Sequence, residues 1–315
     1  MAELTLVQPQ AATAVERLVE EFLASGRARG LSPKTVREGY GYPLRGIFLP
    51  WCAAEGIAEP RQLAAPRLLD RLTSQLLEQG GKRGQLSRHS VHSYVRAINV
   101  FLAWAQQEGE LDGRVRAQAP KVPRHLVDVL TREEIRAMED AAATERDKLI
   151  VRTLADTGVR VGELIGLRTT DLVAQGRAYY IKVEGKGSRQ RLVPVPRLFQ
   201  RLQRFAQRGR PRDIRTDRLF VSLRRSARGG DYEPLTSSGV AQMVRNLAET
   251  AGVKKRVYPH VFRHSFVTYE LTKGMNPVQL AQIVGHTSLA MIQQVYAHLS
   301  PQDSYEAMLK TLTED

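Results

Sequence analysis

Cysteine, long apolar runs and acidic charge are all scarce in this 315-residue chain. Cys52 is the sole cysteine. No internal disulfide can form, which suits a reducing cytoplasm, and the apolar neighbours of Cys52 make it a packing residue. No run approaches the roughly 18 apolar residues of a membrane-spanning helix. The N-terminus lacks the basic-then-apolar order of a signal peptide. A soluble, cytoplasmic protein with no membrane partner is expected. No carboxylate cluster and no His/Cys metal spacing stands out, so neither a metal nor a cofactor is expected. Acidic residues number 33 against 47 Lys and Arg, giving a net charge of +14 and a pI of about 10.1. Such a surplus attracts polyanions, of which DNA is the usual one, and most of it is Arg, which grips phosphate with two donors. A GC-rich genome would explain the preference for Arg but not the surplus of charge.

What the chain does have is enough length for two domains, with 42% hydrophobic and 25% charged residues. Residues 1–12 show little periodicity and read as a loose tail. Val15, Leu18, Val19, Phe22 and Leu23 follow the i, i+3, i+4 spacing of an amphipathic helix. Ser32-Pro33 reads as a cap with Pro at the first helical position. Leu44, Phe48, Trp51 and Cys52 continue an apolar face that Pro43 and Pro50 should kink or split. A third helix is predicted from about Pro66, carrying Leu68, Leu69, Leu72, Leu76 and Leu77. Gly80 to Gly84 should break it. A fourth starts near Ser87 with Val91, Val95, Ile98, Phe101, Leu102 and Ala105 on one side. The first domain is thus an all-helical unit over 13–109, followed by a linker over 110–130 that contains Pro120 and Pro123.

Thr131 and Glu134 form a capping box that opens a second domain over 131–315. Helical spacing continues through Ile135, Met138, Leu149, Ile150 and Leu154, and again after Arg160. Ala178–Glu184 and Gln190–Val195 read as two strands joined by Gly185-Lys186-Gly187-Ser188. Helices return from about Ser237. Asn276-Pro277 starts one whose buried face is Leu280, Ile283 and Val284, and Gly285 ends it as a C-cap.

Six residues on this frame carry chemistry: Arg160, Lys186, His260, Arg263, His286 and Tyr296. The turn Thr157-Gly158 sets Arg160 at the start of a helix. Lys186 sits between two glycines at a hairpin tip; a solvated tip is the plainer reading, and Lys182, in mid-strand, is the rival lysine. His260 and Arg263 stand three apart on one helix and point the same way, so one phosphate can meet both. His286 follows the Gly285 corner, as an active-site group or as a simple cap. His264 reads as structural. Two guanidinium groups, an ammonium, two imidazoles and a phenol suit attack on a phosphodiester with cationic side chains stabilising the transition state.

In order and context, this set resembles that of tyrosine site-specific recombinases, the phage-integrase family. The contexts are Thr157-Gly158-Val159-Arg160-Val161-Gly162-Glu163-Leu164, His260-Val261-Phe262-Arg263-His264-Ser265, Val284-Gly285-His286-Thr287-Ser288 and Tyr296-Ala297-His298. Phe262 and Val267 stand where leucine and alanine are more frequent, and the step from His286 to Tyr296 is one residue longer than in many members. The resemblance implies a mainly α fold with a small β-sheet in the catalytic domain, preceded by a helical, SAM-like core-binding domain. It implies that Tyr296 is the nucleophile, Lys186 the general acid, Arg160 and Arg263 phosphate clamps, and His260 an acid or base. His286 would hydrogen-bond the scissile phosphate, and Glu163 would hold Arg160.

The partner implied is double-stranded DNA, bound by a synaptic tetramer that exchanges strands through a Holliday junction. The segment Tyr305 to Leu312 resembles a terminal helix that docks on a neighbouring subunit; packing within its own subunit fits the pattern as well. The short N-terminal tail favours a simple recombinase of the Xer or integron and transposon kind. A type IB topoisomerase and a catalytically silent DNA-binding regulator are the alternatives.

Overall fold

The computed structural model describes residues 12–78, 84–123, 128–185, 189–211, 214–225 and 231–285. The chain divides into two units, 1–125 and 126–315. Among the described residues helices dominate both, and the strands, all antiparallel, lie in the second.

The first unit is built from α1 (Ala14–Ala28), a helical run that ends in α2 (Leu49–Ala54), α3 (Leu68–Glu78) and α4 (Arg88–Gln107). Thr13 caps α1 by accepting from the Glu16 amide, and the Glu16 carboxylate accepts from the Thr13 amide in return. The side chains expected on the α1 and α4 faces are the buried ones, and they meet Leu44, Phe48, Trp51 and Leu72 in one core. Phe22 lies edge-on to Phe101 and Tyr40 within it.

Of the kink or split expected at Pro43 and Pro50, the split does not occur. Helical conformation continues from Pro33 to Ala54, widening into π-turns over Thr35–Gly41 and Leu44–Phe48. Proline has no amide hydrogen to give. The residue before each proline donates five positions back instead, Tyr42 to Arg37 and Leu49 to Leu44, and the helix absorbs the prolines without ending.

The second unit begins on α5 (Arg132–Asp140), opened by the expected capping box: Thr131 accepts from the Glu134 amide and Glu134 from the Thr131 amide. Helices α6 (Glu145–Thr157) and α7 (Val161–Gly166) follow. A three-stranded sheet comes next, β1 (Leu172–Gln175), β2 (Ala178–Glu184) and β3 (Gln190–Pro194), in that order. The sequence predicts β2 and β3 but not the short β1. Ile181 and Val193 pair across the sheet and bury its inner face against Leu154, Leu164 and Phe199.

Helix α8 (Phe199–Arg204) and a two-stranded hairpin, β4 (Val221–Arg225) with β5 (Tyr232–Pro234), lead to α9 (Ser237–Thr250), α10 (Pro259–Thr272) and α11 (Pro277–Val284). Asn276 caps α11 by accepting from the Val278 amide, and Gly285 ends it in the left-handed region, as its sequence predicts.

The stretch 110–130 is not free chain along its length. Leu111, Val115 and Ala117 are buried in the core of the first unit. Asn99 fixes Ala117 there by bonding both its carbonyl and its amide. Leu130 belongs to the core of the second unit. Its amide donates to Ser265 Oγ and its carbonyl accepts from Tyr269, both on α10. The apolar side chains scattered among the prolines and basic residues are what anchor the two ends. No helix among the described residues is long and apolar enough to cross a membrane.

Candidate active site

The site grows from the turn between α6 and α7. Gly158 terminates α6 with φ 59°, a left-handed conformation open chiefly to glycine. A Cβ at Gly158 would also lie 2.6 Å from the Phe266 ring, so bare backbone lets α10 pack against this turn. Two residues on, Arg160 is the N-cap of α7, as expected. Its amide donates to Glu163 Oε2 at 2.8 Å. Its guanidinium donates to Glu163 Oε1 at 3.0 Å and to the Gly285 carbonyl at 3.0 Å. The Arg160 side chain is 40% exposed, whereas Glu163 is buried.

Arg263 approaches the same turn from α10. It is 2% exposed, and its guanidinium donates to the Gly158 carbonyl at 2.7 Å and the Val284 carbonyl at 2.6 Å. Its Nε is buried and has no partner among the described residues. Burial, then the positive charge of Arg160, pull the Arg263 pKa down to about 9, so the group stays protonated at neutral pH. The residue expected as the second phosphate clamp lies in the floor of the site, tied to two main-chain carbonyls. His260 stands one helical turn before it at the exposed start of α10. Desolvation by the surrounding walls lowers its imidazole pKa below the usual 6.5, and the charges of Arg263 and Arg160 lower it further.

Arg191, on β3, is the member of this network that sequence reasoning misses. It donates through both terminal nitrogens to the two oxygens of Glu163, at 2.9 and 2.8 Å, and through Nε to the Ile283 carbonyl at 2.7 Å. The signal was present: strand alternation puts Arg191 on the same face as buried Val193, an unusual place for a charge. For Glu163, burial alone would raise the carboxyl pKa, but the hydrogen bonds from Arg191 and Arg160 outweigh it and hold the group below its ordinary 4.5.

A cavity of about 470 Å³ opens over these residues. Arg160, Glu163, Gly185, Tyr258, His260 and Arg263 are among its lining. The structure therefore brings together Arg160, His260 and Arg263, with Glu163 beneath Arg160. Lys182, the rival lysine, pairs with Asp171 at 3.5 Å on β2. The β2–β3 hairpin is closed by Gly185 donating to Arg189, on either side of residues 186–188. Lys186, His286, Tyr296 and the segment Tyr305 to Leu312 lie outside the described residues. Among the described residues no group of three His, Cys, Asp or Glu is placed to hold a metal ion.

This architecture is that of a two-domain tyrosine recombinase. A crystal structure of XerH site-specific recombinase bound to palindromic difH substrate, a post-cleavage complex, superposes with a TM-score of 0.66 at 20% identity. The match covers 92% of this chain and 83% of that one. A lambda integrase tetramer bound to a Holliday junction gives 0.63 at 17% identity, over 91% of this chain and 78% of that one. The chain belongs to the phage integrase family, whose sequence profile matches residues 128–303. The tyrosine recombinase XerD of Chlorobaculum tepidum is 31% identical over 266 residues, covering 81% of this chain and 83% of the relative. The protein is an enzyme of the tyrosine recombinase class.

Proposed function

We propose that the chain is a site-specific DNA recombinase that cuts and rejoins strands through a 3′-phosphotyrosyl link to Tyr296. The observation that carries this reading is the convergence of Arg160, His260 and Arg263 on one cavity from two separate helices. A bound phosphate would meet Arg160, the half-exposed cation, and would supply the acceptor that Arg263 Nε lacks. The phenolate of Tyr296 attacks phosphorus and the 5′ oxygen leaves, taking a proton from Lys186. His260, neutral at rest, accepts the phenol proton or bonds the phosphate. His286 bonds a second phosphate oxygen. The new ester retains the energy of the bond it replaces, so the 5′ hydroxyl reverses the attack without ATP.

In this reading the helical unit over 13–109 and the catalytic unit both hold the duplex, and the DNA-bound lambda tetramer supports a tetramer that works through a Holliday junction. The C-terminal helix would dock on the neighbouring subunit, and the enzyme would act in the cytoplasm.

The test is covalent trapping. Fragmented DNA of the source organism is incubated with wild type and with Tyr296→Phe, denatured, and the protein-bound fragments sequenced. Adducts at one or a few sites, absent from the variant, are expected. Adducts scattered without sequence preference would instead mark a topoisomerase-like relaxing enzyme. Salt-sensitive binding with no adduct would mark a silent DNA-binding protein.

A further inference from the structure

We propose that Arg191 is a positioning residue for strand cleavage: through Glu163 it fixes the aim of Arg160 and ties that arginine to the end of α11. The proposal rests on the strand-cleaving reading above. Glu163 receives Arg160 at both oxygens, the amide at Oε2 and one guanidinium nitrogen at Oε1, but both bonds come from the residue to be aimed, whose side chain is itself 40% exposed. Those two bonds tie the carboxylate to nothing beyond the start of α7. The two-pronged contact of Arg191 adds an anchor on β3 that engages both oxygens.

A second, independent observation links Arg191 to the other end of the site. Its guanidinium lies against Gly285, where an added Cβ would come within 2.8 Å of its terminal nitrogen and 2.9 Å of its central carbon. Gly285 thus has two reasons to be glycine: its φ of 67° and this close approach. Its carbonyl receives Arg160, while the Ile283 carbonyl receives Arg191 Nε. Arg160, Glu163, Arg191 and the 283–285 turn close into a ring. Arg191 cannot serve as a DNA contact from here, since its side chain is 14% exposed and all three of its nitrogens donate inward.

The experiment uses the full chain and a nicked duplex bearing a site recovered by trapping, with Arg191→Lys as the first variant. Lysine keeps the charge but loses the fork. Duplex affinity is expected within about threefold of wild type with the same salt dependence, because no phosphate contact is removed. Adduct formation is expected to slow by about a hundredfold, the cost of a small misplacement of a reacting group. A duplex whose bridging 5′ oxygen is replaced by sulfur separates the causes, because a thiolate departs without needing a proton. A positioning defect at the phosphate persists on that duplex, whereas recovery to the wild-type rate would place the defect at the proton donor and overturn the proposal.

Should Arg191→Lys melt below the assay temperature, Glu163→Gln combined with Arg191→Met removes both charges together. That double variant is expected to fold and to cleave as slowly. Wild-type adduct rates in either variant would overturn the positioning role alone. No adduct from wild type would overturn the strand-cleaving reading and the role with it.

Discussion

His260 shows how one side chain carries the state of its site. Its imidazole is partly desolvated and faces the charges of Arg263 and Arg160, so its pKa lies below 6.5 in the folded, DNA-free protein. In the unfolded chain it returns to about 6.5. The unfolded state therefore binds the proton more readily, and stability is lost as pH falls from about 6.5 through the folded pKa; above that window His260 contributes no dependence. Glu163 acts in a separate window, because its lowered pKa gives stability that is present above 4.5 and lost as pH falls below it. His260→Gln should accordingly lose less stability than wild type when urea midpoints are compared at about pH 7.5 and about pH 5.5. Equal losses in the two proteins would mean that the imidazole is not strained by its surroundings. Phosphate arriving in the cavity would offset both arginines and raise the His260 pKa, making it a better proton donor once DNA is bound.

Among the elements, the turn from α6 to α7 couples fold to site most tightly. Gly158→Ala would meet the left-handed penalty of about 1–2 kcal/mol. Its Cβ would also push on Phe266 at 2.6 Å, and overpacking adds about 1–3 kcal/mol. A fall in stability of at least 2 kcal/mol, to order of magnitude, is the expected outcome of denaturant melts. Adduct formation should fall too, since the Gly158 carbonyl anchors Arg263. A variant as stable as wild type would remove this turn from the argument.

Elements governed by neighbouring residues were the ones legible beforehand. The buried face of α4, the Thr131–Glu134 box, β2 and β3, and both caps of α11 all follow from spacing or from one local hydrogen bond. At Pro43 and Pro50 local sequence leaves kink and split open, because a π-turn differs from a split only in where one amide bonds. Strand β1 has four residues, two of them exposed, too short to show alternation. In the site, Arg160 and the His260–Arg263 pair were legible from turn and helix geometry. The inward setting of Arg263 and the whole role of Arg191 were not. Both depend on partners 21 to 105 residues away, which no local pattern encodes.

For the whole molecule the governing quantity is charge. Lys and Arg outnumber Asp and Glu in both units, so the excess of +14 is not the property of the catalytic half alone. Some of the cations are turned inward: Arg191, Arg201 and Arg263 are each bound to protein acceptors. The remainder is available to phosphates. If both units hold the duplex, some 6–10 phosphate contacts follow, and affinity should fall by about 10³–10⁵ between roughly 50 and 200 mM salt. Tyr296→Phe removes no positive charge, so its slope should match that of wild type while its adduct is lost. Residues 126–315 assayed alone should give a shallower slope than the full chain, because the cations of the first unit are gone. A full-length slope equivalent to fewer than about three phosphates would mean that the positive surplus is spent within the fold rather than on DNA. Affinity would then have to come from base contacts, and a short duplex of the wrong sequence would compete poorly at every salt concentration.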